Sequence, residues 1–122
     1  MKEVFIKAKI KNEDSIIPFE GKGVYDLSKS MIQYQDKDTN AVLTVFLNDN
    51  IMLRETEDTI LSYKFVENAK TNFEVFLKDL KQTGYVPLTT RKIAKTNTNY
   101  QVTYNIEGND FDHTYEIEWR IL

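Results

Sequence analysis

Apolar and polar residues alternate with a period of two along most of this chain. The pattern is plainest near the C-terminus, where Tyr100, Val102, Tyr104 and Ile106 interleave with Gln101, Thr103, Asn105 and Glu107. After Gly108-Asn109-Asp110 it returns, with Tyr115, Ile117, Trp119 and Ile121 set between Glu116, Glu118 and Arg120. Successive side chains of a strand point to opposite faces, so each run predicts a strand with one buried face, and the two together predict a hairpin. At the N-terminus Val4, Ile6, Ala8 and Ile10 alternate with Phe5, Lys7, Lys9 and Lys11. Phe19, Gly21, Gly23 and Tyr25 then alternate with Glu20, Lys22 and Val24. Further strands are predicted near Ser30–Gln35, Ala41–Asn48, Ile51–Thr56, Thr59–Val66 and Tyr85–Lys95. The unbroken apolar run from Val42 to Leu47 predicts a strand covered on both faces, for which a neighbouring chain would serve.

The chain has only 4 Gly and 2 Pro, so other residues must turn it. Asn and Asp hydrogen-bond their own backbone and tolerate left-handed conformations. Their clusters at 12–14, 36–40, 48–50, 97–99 and 109–110 fall between the predicted strands. One segment, 72–83, reads two ways. Phe73, Phe76, Leu77 and Leu80 have helical spacing, with Thr71 or Asn72 as a cap and Gly84 as a stop, whereas Phe73, Val75 and Leu77 alternate as a strand.

With no long helical crossover between them, eight to ten strands must be antiparallel, and two arrangements bury their apolar faces: a sandwich or a closed barrel. Only the barrel removes both edges. If the first and last strands are neighbours, the outward Lys7, Lys9 and Lys11 face the outward Glu116 and Glu118.

The 122 residues suffice for one domain spanning 1–122. No cysteine and one histidine exclude a disulfide framework, a thiolate zinc site, an iron–sulfur cluster, a cysteine nucleophile and a multi-histidine metal centre. A net charge of −3 and a pI near 5.2 argue against a dedicated nucleic-acid binder. Met1-Lys2-Glu3-Val4 leads straight into the alternating pattern without an apolar leader, and no run approaches a membrane helix, so a cytoplasmic location without a membrane partner is expected.

The N-terminal Lys/apolar strand, the segment Phe19-Glu20-Gly21-Lys22-Gly23-Val24-Tyr25, the stretch Tyr85–Ala94 with Thr89-Thr90, and the closing Tyr-rich hairpin with His113 resemble a domain-of-unknown-function family found mainly in low-GC Gram-positive bacteria. That resemblance implies a calycin-like, lipocalin-like antiparallel barrel, and a strand around Phe73–Leu80. It also leads one to expect a glycine-containing turn near residue 80, which this chain lacks. It carries no activity and no functional residues.

A barrel of about eight strands is just wide enough to be filled by its own side chains or to hold one small ligand. The inward faces carry Phe19, Tyr25, Tyr34, Tyr63, Phe65, Tyr100, Tyr104, Tyr115 and Trp119. Tyrosine hydroxyls converging in an apolar chamber are the usual make-up of a ligand pocket. Phe19, Tyr25, Tyr34, Tyr63, Tyr100, Tyr104 and Trp119 are therefore the candidate ligand-binding residues, and plain packing of the same rings is the competing reading. Gly21 and Gly23 leave room for a ligand or for a barrel corner. His113, beside Asn109, Asp110 and Asp112, is the lone candidate for a metal ligand or general base, without a third group at ligand spacing. Lys78, Lys81, Arg91, Lys92 and Lys95 beside Tyr85 suit either a single-strand-binding face or a solvated one.

The expected function is thus a non-enzymatic binding module, without a cofactor, whose barrel holds a small apolar or aromatic molecule. The alternative is a filled barrel that works from outside, as a homodimer or by docking a protein, through outward Phe5, Val42 or Phe46, and Phe76. A hydrolase-like enzyme using His113 comes third.

Overall fold

The computed structural model describes all of residues 1–122. It contains ten strands: β1 (Lys2–Lys11), β2 (Ile16–Asp26), β3 (Met31–Asp36), β4 (Ala41–Phe46), β5 (Ile51–Glu55), β6 (Thr59–Lys64), β7 (Lys70–Leu77), β8 (Gln82–Lys95), β9 (Asn99–Ile106) and β10 (His113–Ile121). They form an antiparallel meander closed into a barrel by the pairing of β1 with β10. There is no helix, hence none long and apolar enough to cross a membrane.

Residues 72–83 are strand and turn. The backbone of β7 pairs on both sides, Ile60 with Phe76 towards β6 and Phe73 with Val86 towards β8, which a helix would forfeit. Phe73 is buried in the core, while Phe76 lies half-buried on the outer face opposite Ile60. In the turn between β7 and β8, Lys81 takes the left-handed conformation (φ 49°) that glycine would adopt more cheaply. Asn40, Asn50 and Asn68 also have left-handed φ, and Asp26 and Asp36 carboxylates accept backbone N–H groups two residues on. Asn and Asp turn this chain where Gly and Pro are scarce.

The closure carries the charge pairing read from the sequence. Lys7 lies opposite Glu118 and Lys9 opposite Glu116. The Glu116 carboxylate sits 3.3 Å from Lys9 and 3.4 Å from Lys11. Such exposed pairs contribute at most about 1 kcal/mol each, so they favour this register more than they hold the barrel together. Most of the stabilisation comes from the core, where Val4, Ile6, Ile32, Leu88, Val102 and Ile117 are wholly buried, each contributing about 1.5–3 kcal/mol.

The inner face of β4 is buried, whereas its outer face is only partly so, with Val42 and Phe46 half-buried and no second layer over them. Ala41, Leu43 and Val45 point into the core. Outward Thr44 is buried under its neighbours and accepts a hydrogen bond from Gln33 Nε2 of β3 at 3.0 Å. Of the four glycines, Gly23 has the closest neighbours. A Cβ there would fall 2.4 Å from Ile6 Cδ1 and 2.6 Å from the Gln33 carbonyl oxygen. A Cβ on Gly21 would meet the Phe19 ring at 3.0 Å. Neighbouring atoms of the chain therefore occupy the space that the two glycines free.

Candidate functional site

The two ends of the barrel are built differently. At the end bearing both termini, aromatic rings fill the interior. Trp119 stacks with Tyr25 at 6.1 Å, and the Tyr100 hydroxyl donates to Asn50 Oδ1 at 3.2 Å. Lys95 donates to the Leu47 carbonyl and lies over the Tyr100 ring, covering it from outside.

At the opposite end, which carries the β1–β2, β3–β4, β5–β6, β7–β8 and β9–β10 turns, the interior opens into a cavity of about 340 Å³. Eight of the ten strands line it, with β7 and β8 left out. Its wall combines aliphatic Ala8, Ile10, Leu43, Leu61 and Ile106 with the rings of Phe19, Tyr34, Tyr63, Tyr104 and Tyr115. Tyr34 and Tyr115 meet across it with their hydroxyls 2.8 Å apart. Tyr63 packs against Phe73, centroids 4.7 Å apart, and Tyr104 against Phe65 at 5.2 Å. Neither the Tyr63 nor the Tyr104 hydroxyl has a hydrogen-bond partner in the protein, although both side chains line the cavity. Other hollows, of about 240 to 510 Å³, lie over outward-facing residues such as Lys7, Glu20, Glu116, Lys64 and Glu74.

Burial dominates the ionisation of these phenols. It pushes Tyr34 up to about 12 against the Tyr115 hydrogen bond, which acts the other way. It also raises Tyr63, Tyr100, Tyr104 and Tyr115 above the ordinary value of 10.0. At neutral pH every one of them is a protonated donor.

Four of the seven candidate residues, Phe19, Tyr34, Tyr63 and Tyr104, come together around this cavity. Tyr25, Tyr100 and Trp119 fill the closed end. Sequence reasoning missed Arg54, whose side chain also lines the cavity. The signal was present in β5, where Met52 and Arg54 share the inward phase, but a lone arginine beside Glu55 reads as a surface residue.

His113 lies half-buried on the rim, stacked on Tyr104 with centroids 5.4 Å apart. Its Nδ1 donates to Asn12 Oδ1 in the β1–β2 turn, and its Nε2 accepts from Asn109 Nδ2 at 3.1 Å in the β9–β10 turn. The ring thus ties together two neighbouring turns. Desolvation lowers its pKa below 6.5, opposed by the nearby Asp112 charge. Asp112 itself sits 3.6 Å from Arg91. Both ring nitrogens are bonded to amides, and no three His, Asp or Glu side chains gather as a cation site.

The remaining candidate surfaces are dispersed. Lys78 bonds Glu55 Oε2 at 2.7 Å and the Thr56 carbonyl beside the open end, whereas Lys95 sits at the closed end of β8. Among the outward apolar residues Phe5 lies under Arg120, 5.0 Å from its guanidinium, and Val42, Phe46 and Phe76 are half-buried.

Neither a family profile nor a curated protein matches the chain. Among solved structures, the ywiB protein from Bacillus subtilis is similar in fold, with a TM-score of 0.60 at 16% identity, over 95% of this chain and 89% of that one. At that identity the likeness speaks for the fold alone: this chain has the barrel architecture of a bacterial protein.

Proposed function

We propose that this protein is a non-enzymatic binding module that takes one small, mainly apolar or aromatic molecule into the open mouth of its barrel. The observation that carries the reading is the open-mouthed cavity of about 340 Å³, lined by residues of eight strands at one end of the barrel. Binding sites for small molecules run from about 300 to 1,000 Å³ and combine an apolar wall with a few placed polar groups. Here the wall is aliphatic and aromatic, and the unpartnered Tyr63 and Tyr104 hydroxyls are the placed groups. Ile17, half exposed on the rim, extends the apolar wall outward. The closed antiparallel meander also supports the calycin-like reading.

The test is a titration of the protein with short aliphatic and phenyl-containing molecules, followed by amide chemical shifts and calorimetry. Binding should perturb amides around Leu43, Leu61, Tyr104 and Ile106, leave those near Tyr100 and Trp119 unmoved, and vanish in Leu61→Trp, which fills the mouth. Saturable binding elsewhere, or none across such a panel, overturns the reading and leaves the outer surface as the working face.

A further inference from the structure

Arg54 stands apart from the other charged residues of the barrel. The chain has three arginines, and two of them are engaged: Arg91 with Asp112 at 3.6 Å, and Arg120 over the Phe5 ring at 5.0 Å. Arg54 has neither an ion pair within 4.0 Å nor a side-chain hydrogen bond, and it is half-buried inside the mouth. Its cross-strand neighbours are Leu43 and Leu61, so an apolar collar surrounds its stem. Charged groups removed from bulk water are ordinarily paired, and a planar guanidinium is suited to two parallel hydrogen bonds with a carboxylate or phosphate. The unpartnered Tyr63 hydroxyl feels its charge, which acts to lower the Tyr63 pKa against the larger effect of burial.

Resting on the mouth-binding reading, we infer that the ligand is a monoanion: a carboxylate on a small aliphatic or aromatic body, with its headgroup held by Arg54 and a tyrosine hydroxyl. The other charges on the lining set the valence. Asp36 also lines the cavity, although one of its oxygens is engaged by the Asp38 N–H. Lys9 reaches outward to Glu116, and His113 has both ring nitrogens engaged by amides, with desolvation lowering its pKa. Asp36 repels any anion placed there and a phosphate monoester dianion about twice as strongly as a carboxylate, so a singly charged headgroup is the better match for the single guanidinium.

Calorimetry with matched pairs decides it: octanoate against 1-octanol, and 3-phenylpropanoate against 3-phenylpropanol, on the wild-type chain, Arg54→Met and Arg54→Lys. The carboxylates should bind wild type about tenfold more tightly than their alcohols. Arg54→Met should erase that preference by weakening the carboxylates far more than the alcohols, and Arg54→Lys should keep part of it. Equal binding of acid and alcohol to wild type, or a parallel loss of both in Arg54→Met, overturns the headgroup assignment and leaves mouth binding standing. Binding of neither member of either pair overturns mouth binding itself. Should Arg54→Met fail to fold, the Arg54 Nε–H resonance of the wild-type protein gives the same answer, shifting with octanoate and not with 1-octanol if the assignment holds.

Discussion

The hydroxyls of Tyr34 and Tyr115, 81 positions apart in sequence, meet 2.8 Å from each other below the mouth of the barrel. Each is the other's only polar partner among the side chains, and both residues are buried. Removing one hydroxyl strands the other, so Tyr34→Phe and Tyr115→Phe should each cost about 1–2 kcal/mol in urea denaturation. The double variant should cost less than the sum, because it leaves no orphaned group. Simple additivity would show that the two hydroxyls do not depend on each other.

The same burial predicts alkaline sensitivity. Tyr34 is raised to about 12, and Tyr63, Tyr100, Tyr104 and Tyr115 also lie above the ordinary value of 10.0. The native state keeps protons that the unfolded chain releases, so this stability is whole below pH 10 and is lost as pH rises through the native values. Denaturant midpoints should be flat up to about pH 9.5 and fall steeply above 10, with a burst of phenolate absorbance on unfolding.

Acid acts through His113. Its native pKa lies below the ordinary 6.5, so the unfolded chain takes up a proton first and stability falls as pH drops past 6.5 towards the native value. Protonated Nε2 would also face the Asn109 amide nitrogen, donor against donor. Comparing urea midpoints just above and well below pH 6.5 should show a decline that His113→Gln flattens. An unchanged slope in that variant would assign the decline to carboxylates instead.

Gly23→Ala should destabilise by about 2 kcal/mol or more, because the new methyl would meet the Gln33 carbonyl, which no side-chain rearrangement can move. Gly84→Ala, with nothing within 4 Å, should stay within about 0.5 kcal/mol of wild type. Thermal denaturation of the two variants side by side measures the contrast. Equal midpoints would mean that the barrel corner yields freely.

Much of this architecture is written locally. Alternation at Val4–Ile10, Tyr100–Ile106 and Tyr115–Ile121 assigns inward and outward faces, because the strand period is two and a slip of one residue would turn the whole apolar set to water. The facing Lys9 and Glu116 then mark which strands close the barrel. Segment 72–83 is ambiguous locally because Phe73 and Leu77 fit both periods, while Phe76 fits only the helical one and Val75 only the strand; pairing with β6 and β8 resolves it.

Which end of the barrel is open cannot be read this way. Tyr100 and Tyr104 lie on the same face of one strand, yet one ring seals the closed end and the other borders the cavity. Their level along the barrel axis is set by the stagger of ten paired strands, a property of closure and not of any segment. Closure also encloses Arg54, because only the ring of eight lining strands turns an inward position on β5 into a charge with no partner. An all-β chain with an aromatic interior and a polar exterior is thus legible in the order of residues, since side-chain direction alternates within each strand. That the interior is filled at one end and open at the other follows only from the closed barrel, because the space left over depends on which side chains the register brings to the same level.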